Sequence, residues 1–174
     1  TAGTWQLDPT HTEIGFAVRH IMSKVRGKFE TFEGTLVTAD DITNSTVSVS
    51  VDLSSISTGT ADRDNHLRSS DFFSIETHPT MTFSTTGVAQ NSETDFVVTG
   101  DLTIKGISKS IDLAVEFLGE GKDPWGGTRV GVEATAQISR KDWGIDFNIP
   151  LEGDKVMIGD KITITINSEA VLQA

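Results

Sequence analysis

The sequence predicts an all-β fold, in which an antiparallel sheet is closed into a barrel or folded as a sandwich. Apolar and polar residues alternate at period two in segment after segment, which is typical of strands with one dry face. Helical periodicity is scarce. The composition is rich in Thr and Ser and is punctuated by 16 Gly residues, which favours strands joined by turns. Strands of about ten residues, several joined by hairpin-length turns, suit both architectures.

The strand pattern runs along almost the whole chain and gives eight or nine strands. Their apolar positions are, in order, Trp5 and Leu7; Ile14, Phe16 and Val18; Phe29, Phe32, Leu36 and Val37; Val47, Val49, Val51 and Leu53; Met81 and Phe83; Phe96, Val98, Leu102 and Ile104; Ile111, Leu113, Val115 and Phe117; Val130, Val132, Ala134, Ala136 and Ile138; and Ile162, Ile164, Ile166, Ala170 and Leu172.

Turn residues separate several of these strands. Lys105-Gly106 lies between two alternating runs and predicts a tight hairpin, because Gly tolerates a positive φ angle. The glycines and Pro124 in residues 119–127 predict a longer loop.

Two stretches break the strand pattern and predict short helices. Residues 20–25 are compatible with one helical turn. Residues 60–70 predict a second helix, with Thr60 as N-cap and an i,i+4 pair between Asp64 and Arg68.

Size and charge exclude several classes of protein. The 174 residues fit one domain, residues 1–174, and the net charge of −11 disfavours nucleic-acid binding or stable adhesion to an anionic membrane by bulk charge. The absence of Cys excludes disulfides and thiolate sites. The sequence contains neither a run of about 20 apolar residues nor a leader. The cytoplasm is therefore the expected compartment, or the periplasm or exterior if a leader was removed before Thr1.

Two local groupings of side chains point to ligand binding. Phe16, Phe29, Phe32, Phe72 and Phe73 gather near the two stretches without strand pattern, where they either line a cavity mouth or simply pack in the core. Basic residues form two short clusters, which either bind a phosphate headgroup or lie on a solvated face among neighbouring acids. The clusters contain Arg19, Lys24, Arg26 and Lys28, and then Arg63, His66 and Arg68.

Catalytic motifs are missing from the sequence. We find no nucleophile elbow, phosphate-binding loop or zinc-protease motif. Asp8 and His11 are a conceivable acid–base pair, but no nucleophile is readable beside them. A hydrogen bond that fixes the first turn is the alternative interpretation.

Six motifs in chain order carry a resemblance to a known family. They are Trp5-Gln6-Leu7-Asp8-Pro9-Thr10-His11-Thr12 running into Ile14-Gly15-Phe16-Ala17-Val18-Arg19-His20; Ser23-Lys24-Val25-Arg26-Gly27-Lys28-Phe29; Asp62-Arg63-Asp64-Asn65-His66-Leu67-Arg68 with Asp71-Phe72-Phe73; Pro79-Thr80-Met81-Thr82-Phe83; Gly100-Asp101-Leu102-Thr103-Ile104-Lys105-Gly106-Ile107-Ser108-Lys109; and Ser139-Arg140-Lys141-Asp142-Trp143-Gly144. They cover essentially the whole chain, which resembles the YceI-like family.

The resemblance implies an extended, lipocalin-like antiparallel barrel of eight strands with one or two short helices. Its elongated apolar cavity is expected to hold a polyisoprenoid chain. Members of the family are described as binders of polyprenyl pyrophosphates, isoprenoid quinones or other long lipids, often as homodimers and without established catalysis. We therefore expect binding, carriage or sequestration of such a lipid, with no cofactor, no metal and no catalytic residue. An enzyme that acts on an isoprenoid through a His/Asp pair is the alternative.

The residues expected at the ligand combine this resemblance with strand parity. The tail cavity is expected to be lined by Ile14, Phe16, Val18, Phe29, Phe32, Val49, Val51, Phe72, Phe83, Val98, Leu102, Leu113 and Val115. The headgroup contacts are expected from Arg19, His20, Arg63, His66 and Arg68, near the mouth of the cavity.

Overall fold

The computed structural model describes residues 1–151 and 156–174, most of which lie in one antiparallel sheet. Its strands are β1 (Gly3–Leu7), β2 (Glu13–His20), β3 (Ser23–Phe29), β4 (Phe32–Thr38), β5 (Thr46–Asp52), β6 (Ile56–Ser57), β7 (Thr80–Gln90), β8 (Asp95–Ile104), β9 (Ile107–Lys122), β10 (Thr128–Ser139) and β11 (Ile158–Leu172). The described residues also contain one helix, α1 (Ala61–Arg68), and several 3-10 turns. No helix in this part of the chain is long and apolar enough to cross a membrane.

Pairing of the last strand with the first closes the sheet. The order around the ring is β1-β4-β5-β7-β8-β9-β10-β11, and β11 returns to β1 with Trp5 opposite Leu172. The earlier part of β11 pairs instead with β2, from which β3 and β6 continue the sheet. The eight-stranded antiparallel barrel with a short helix is therefore confirmed, and the sandwich alternative is wrong.

A 3-10 turn at Pro9–His11 allows the chain to change partners between β1 and β2. The carboxylate of Asp8 caps this turn, because its Oδ1 atom accepts hydrogen bonds from the amide of Thr10, at 3.0 Å, and from the Thr10 hydroxyl, at 2.8 Å. Pro9 lies at the start of the turn, where its missing N–H costs nothing.

Residues 20–25 do not form the predicted helical turn. They form the tip of the β2–β3 hairpin, in which His20 lies opposite Ser23 and only Ile21 and Met22 make the loop. Seven consecutive cross-strand pairs form between β2 and β3, and this ladder outweighs the weak helical tendency of one isolated turn.

The helix predicted in residues 60–70 is present as α1 with Thr60 at its N-cap position, but the predicted pair between Asp64 and Arg68 is wrong. Thr60 makes no side-chain capping hydrogen bond. Asp64 does not pair with Arg68, because its carboxylate instead accepts hydrogen bonds from the backbone and hydroxyl groups of Thr58. Arg68 reaches the carbonyl oxygens of Ser54 and Ile56.

The turn predicted at Lys105-Gly106 is present, and both residues have positive φ angles, of 54° and 75°. A two-residue hairpin with both φ angles positive matches the right-handed twist of its strands. The long loop predicted at residues 119–127 is shorter than expected, because β9 continues through Lys122 before the chain turns.

Candidate functional site

A cavity of about 630 Å³ occupies the interior of the barrel. Its wall consists of inward-facing apolar side chains from neighbouring strands, such as Val49, Phe83, Val98, Leu113 and Ile164. Several wall residues, Val49 and Ile164 among them, are only partly buried because they face empty space rather than other side chains. The barrel is therefore hollow, and its volume lies within the range of about 300–1,000 Å³ that is usual for small-molecule pockets.

The cavity is long and narrow. Along β9 its wall extends from Ile111 to Glu120, which at about 3.4 Å per residue is about 30 Å of strand. Strands of small barrels tilt by about 35–45° from the axis, so the wall covers about 20–25 Å along the axis. This shape fits an extended chain better than a compact molecule.

Trp143 closes one end of the barrel. It is buried, and its indole Nε1–H donates to the backbone oxygen of Leu102 at 2.9 Å. Buried Phe72 and Ile145 belong to the same apolar cluster, which also includes Leu102. We call this the closed end.

Arg140 holds the segment that carries Trp143. Its guanidinium is buried and donates to the backbone oxygens of Gly159, Ile145 and Phe147, at 3.0, 3.1 and 2.8 Å. Burial lowers the pKa of Arg140 from its ordinary value, against the opposing effect of nearby Asp160. The motif at residues 139–144 therefore anchors the closed end of the barrel.

The mouth of the cavity lies at the opposite end and is polar. Its charged lining residues are Asp40, in the loop after β4, Glu93, in the turn after β7, and Glu120, on β9. Among the described residues that line the cavity there is no Lys, Arg or His side chain. The amino group of Thr1, which also lines the cavity, lies 2.9 Å from Glu120, so three carboxylates face one ammonium group and the mouth is net negative.

The structure brings eight of the thirteen predicted tail residues to the cavity wall. They are Ile14, Val49, Val51, Phe83, Val98, Leu102, Leu113 and Val115. The other five, Phe16, Val18, Phe29, Phe32 and Phe72, are not part of the lining. The ring centroid of Phe29 lies 5.6 Å from that of Phe16 and 6.2 Å from that of Phe73, so these aromatic side chains pack on one another instead of flanking the mouth. Ligand contact by any of the thirteen stays a prediction.

None of the five predicted headgroup residues lines the cavity, and the expectation that they flank the mouth is not met. Arg19 and His20 end β2, and His20 lies opposite Ile158, which packs against the cluster at the closed end. Arg63 donates to the hydroxyl and carbonyl oxygens of Thr58, at 2.8 and 2.7 Å.

The other two predicted headgroup residues have structural partners as well. Arg68 donates to the carbonyl oxygens of Ser54 and Ile56, at 3.0 and 3.2 Å. Nε2 of His66 lies 2.8 Å from a carboxylate oxygen of Asp71. Headgroup binding by these residues therefore stays a prediction that no contact with the cavity supports.

The cavity wall also contains residues that were not among the predicted site residues. They are Trp5, Leu7, Leu36, Val47, Met81, Val88, Phe96, Ile111, Phe117, Val130, Val132, Ala134, Ile166 and Ala170, together with Ile164 and the acids of the mouth. Most of the apolar members lie on the same alternating positions of their strands as the selected ones, so strand parity was the signal that could have found them.

Asp8 and His11 lie near the junction of β1, β10 and β11, outside the lining of the barrel cavity. Oδ2 of Asp8 is 2.8 Å from Nδ1 of His11 and 2.6 Å from Nη1 of Arg129. Arg129 also donates to Asp123, at 2.9 Å, and to Glu169, at 3.1 Å. Arg129, followed by His11 and Thr10, holds the pKa of Asp8 well below its ordinary value. The same acids raise the pKa of Arg129.

This cluster also offers a possible set of metal ligands. Ligand atoms of Asp8, His11 and Glu169 lie within 4.8 Å of one another. Arg129, however, already contacts both carboxylates and supplies the positive charge that a metal ion would bring. The arrangement is therefore that of an ion-pair network that ties the first turn to β10 and β11.

Comparison with known proteins gives consistent results. The model of the YceI-like domain matches residues 5–170. UPF0312 protein plu2095 of Photorhabdus laumondii is 42% identical over 141 residues, which are 80% of this chain and 73% of that protein.

Two solved structures share the fold. BcnA of Burkholderia cenocepacia matches with a TM-score of 0.83 and 17% identity, over 94% of this chain and 98% of that chain. A polyisoprenoid binding domain from Saccharophagus degradans, implicated in plant cell wall breakdown, matches with a TM-score of 0.72 and 17% identity, over 99% of this chain and all of that one.

Proposed function

The chain belongs to the YceI-like family, and from this premise we propose that it binds a long-chain isoprenoid lipid with an uncharged headgroup, such as an isoprenoid quinone. It carries or sequesters this lipid in the barrel cavity without changing it chemically. The observation that carries the proposal is the long apolar cavity of about 630 Å³, closed at one end and open at the other. The structurally similar Saccharophagus degradans domain is described as polyisoprenoid binding, which supports the same class of ligand.

The affinity in this proposal comes from removing the isoprenoid chain from water. Each buried methylene group contributes about 0.8 kcal/mol, so even a few isoprene units suffice for tight binding. The wall needs no specific polar group for this, and between Ile111 and Phe117 the inward positions of β9 are all apolar.

The mouth favours a neutral headgroup over a phosphate. Asp40, Glu93 and Glu120 are the charged side chains that the described lining presents there. A pyrophosphate at the mouth would meet the carboxylates of Asp40 and Glu93, and like charges in proximity repel. The amino group of Thr1, the cation in the described lining, already pairs with Glu120 at 2.9 Å. An isoprenoid quinone carries no such charge.

The alternative of an isoprenoid enzyme would require a reactive His11–Asp8 pair. Both oxygens of Asp8 already accept hydrogen bonds, from Thr10 on one side and from Arg129 and His11 on the other. A carboxylate whose pKa is held low is a weak general base. The pair also lies apart from the cavity that would hold the substrate, so this geometry favours the structural role.

The experiment is identification of the lipid that accompanies the protein. Protein purified from its source is extracted with solvent, the extract is analysed by mass spectrometry, and isoprenoid quinone and polyprenyl pyrophosphate are each added to delipidated protein. We expect a quinone or another neutral isoprenoid in the extract. Because a ligand at about 100 times its Kd stabilises a protein by about 2.7 kcal/mol, a rise in Tm with quinone is also expected. An empty extract together with an unchanged Tm would refute the proposal, and release of phosphate from the pyrophosphate would favour the enzyme.

Homodimer formation, which the resemblance implies, is part of this proposal. Leu118 is 55% exposed on β9 and Trp125 is 79% exposed in the loop that follows, so this hairpin offers apolar surface to a second copy. Sedimentation equilibrium measures the mass in solution. A monomer at all concentrations would contradict the dimer.

A further inference from the structure

The β2–β3 hairpin presents a row of cations on its outward face. Arg19 lies directly opposite Lys24, Arg26 is opposite Ala17, and Lys28 is opposite Gly15. Residues directly opposite each other point to the same side of a sheet, and residues two apart on one strand do so as well. All four cations are exposed. The row therefore runs along one face, from Lys28 near the base of the hairpin to Arg19 and Lys24 near its tip.

The arrangement of these four cations is electrostatically unfavourable. Like charges directly opposite each other on paired strands destabilise the sheet, and Arg19 and Lys24 are such a pair. Within the described residues, no carboxylate forms a salt bridge with any of the four. Asp160 on β11 is two residues from Ile158, which lies opposite His20 near the tip of the hairpin. Its carboxylate lies 3.4 Å from Lys141 and 3.7 Å from Arg140 instead.

The tip of the same hairpin is apolar and exposed. Met22 is 90% exposed and Ile21 is 49% exposed. Ile21 has a φ angle of 56°, a conformation that suits Gly or Asn and that is an outlier for a β-branched residue. A polar turn such as Asn-Gly would be less strained and better solvated, so neither folding nor solubility explains the apolar pair.

The apolar surface extends beyond the tip. The amide of Ile21 donates to the oxygen of Met157 at 2.7 Å, and the amide of Met157 donates to the oxygen of Ile149 at 3.0 Å. Ile149 and Val156 are themselves exposed. Exposed Ile149 and Val156, which lie outside the strands, thus adjoin the apolar tip of the hairpin.

We propose that this hairpin docks on an anionic lipid surface. Ile21 and Met22 enter the interface, and Arg19, Lys24 and Arg26 contact the phosphates of the headgroups, in the manner of other interfacial segments that combine apolar and basic residues. Protection of the open edge of β3 would explain the cations alone. It does not explain the apolar tip, because an exposed apolar tip promotes association.

The net charge of −11 does not oppose this contact. Charges further than about 10 Å from the surface are largely screened at physiological ionic strength, so the local row decides the interaction. The hairpin tip lies at the closed end of the barrel, and the mouth faces away from the docked surface. The proposal is therefore independent of what the cavity holds.

Cosedimentation of the full chain with vesicles tests the proposal. One set of vesicles is phosphatidylcholine, and the other contains about one third phosphatidylserine. We expect binding to the anionic vesicles only. The binding should be lost between about 0.05 and 0.5 M salt, because screening weakens exposed ionic contacts.

Two double variants separate the tip from the cations. Ile21→Asn with Met22→Gly installs the preferred hairpin turn, so the fold is retained while the apolar tip is removed. Arg19→Gln with Lys24→Gln should weaken vesicle binding by about fivefold per cation. The matched control is Lys109→Gln with Lys122→Gln, which removes the same charge from β9 and should change binding by less than about twofold.

The outcomes distinguish the occupants of this surface. Salt-sensitive binding that both hairpin variants reduce and the control retains supports the proposal. No cosedimentation of the wild-type protein, or equal binding by all variants, overturns it. Absence of vesicle binding combined with a dimer in solution that the Ile21 and Met22 variant abolishes also overturns it, and assigns the hairpin to a second copy of the chain.

Discussion

The ring of Phe83 lies directly over Gly100 on the inner wall of the barrel. A Cβ atom at Gly100 would lie 2.7 Å from Cε2 of that ring and 2.6 Å from the backbone oxygen of Ser84. Phe83 is buried and lines the cavity. The absence of a side chain at residue 100 therefore leaves the space that the ring of this wall residue occupies.

Gly100→Ala should consequently destabilise the protein. The ring could rotate, but the Ser84 oxygen belongs to the backbone of β7, which pairs with both β5 and β8, so its displacement would disturb that pairing. We expect a loss of about 1–3 kcal/mol in the free energy of unfolding, measured by urea denaturation. Gly87→Ala on the adjacent strand is the control, because a Cβ there meets no atom within 4 Å. Equal stability of the two variants would contradict this account.

The barrel was predictable from the sequence because period-two alternation is repeated in every long strand. Val98, Leu102 and Leu113 were assigned correctly to the inner face on parity alone. Alternation along a strand shows which face of the sheet a residue is on, but it does not show how far along the barrel axis the residue lies. Phe29 and Phe72 are apolar and buried, yet they pack in clusters beside or beyond the cavity wall.

The position of the mouth could not be predicted, because it depends on which connections cover each end. Residues 139–147 fold across one end through hydrogen bonds from Arg140 to backbone oxygens. A sequence does not show which side chains will donate to backbone carbonyl oxygens. Arg63 and Arg68 therefore resembled free cations, although their guanidinium groups donate hydrogen bonds to the backbone. The acids of the mouth come from two separate turns and from β9, so they form no local pattern in the sequence.

Trp143→Ala should open the closed end and strongly reduce stability. The side chain is 1% exposed, and removal of a buried Trp costs about 3–5 kcal/mol. The matched control is Trp125→Ala, since Trp125 is largely exposed and only lies against Arg129, a contact worth about 0.5–1 kcal/mol at an exposed site. Urea denaturation followed by circular dichroism compares the two. A loss for Trp143→Ala no greater than that of the control would show that the cluster at the closed end is not part of the stable core.

Asp8→Asn should reduce stability at neutral pH and have little effect in acid. Arg129, His11 and Thr10 hold the folded-state pKa of Asp8 below its ordinary value of 3.8. A carboxyl group of this kind stabilises the fold above its unfolded-state pKa and loses that contribution as the pH falls through the folded-state value.

The expected loss for Asp8→Asn is about 1–3 kcal/mol at pH 7, which is typical of hydrogen bonds to a charged group, and it should shrink steadily below about pH 4. Unfolding is measured across this range, with the exposed Asp101→Asn as control. Ligand binding at pH 7 should be unchanged in folded Asp8→Asn. A selective loss of turnover in this variant would instead favour the enzyme.

Charge at the mouth should set the preference for the headgroup. Asp40→Asn with Glu93→Gln removes two of the carboxylates, so we expect the affinity for a polyprenyl phosphate to rise by about tenfold at low salt, while quinone affinity stays constant. Added salt should reduce the difference, because these groups are exposed. Titration of each lipid into delipidated protein gives both affinities.

Arg68→Gln is the variant to compare with the double variant at the mouth, because Arg68 lies outside the cavity lining. Its guanidinium donates to backbone oxygens of Ser54 and Ile56, so its loss should lower stability by about 1–3 kcal/mol and leave the ratio of the two affinities unchanged. A selective loss of phosphate binding in Arg68→Gln would restore it as a headgroup ligand and refute the role assigned to the acidic mouth.

Ala134→Phe should block the cavity while the barrel stays folded. Ala134 on β10 points inward and lines the cavity, so a benzyl group there would occupy the space expected for the isoprenoid chain. The control is Ala114→Phe on the adjacent strand β9, where Ala114 lies opposite Thr135 and is exposed on the outer face. We expect Ala134→Phe to weaken lipid binding at least tenfold and to abolish copurification of the lipid, whereas Ala114→Phe should bind as the wild type does. Circular dichroism confirms that each variant is folded, and unimpaired binding by folded Ala134→Phe would place the lipid outside the barrel.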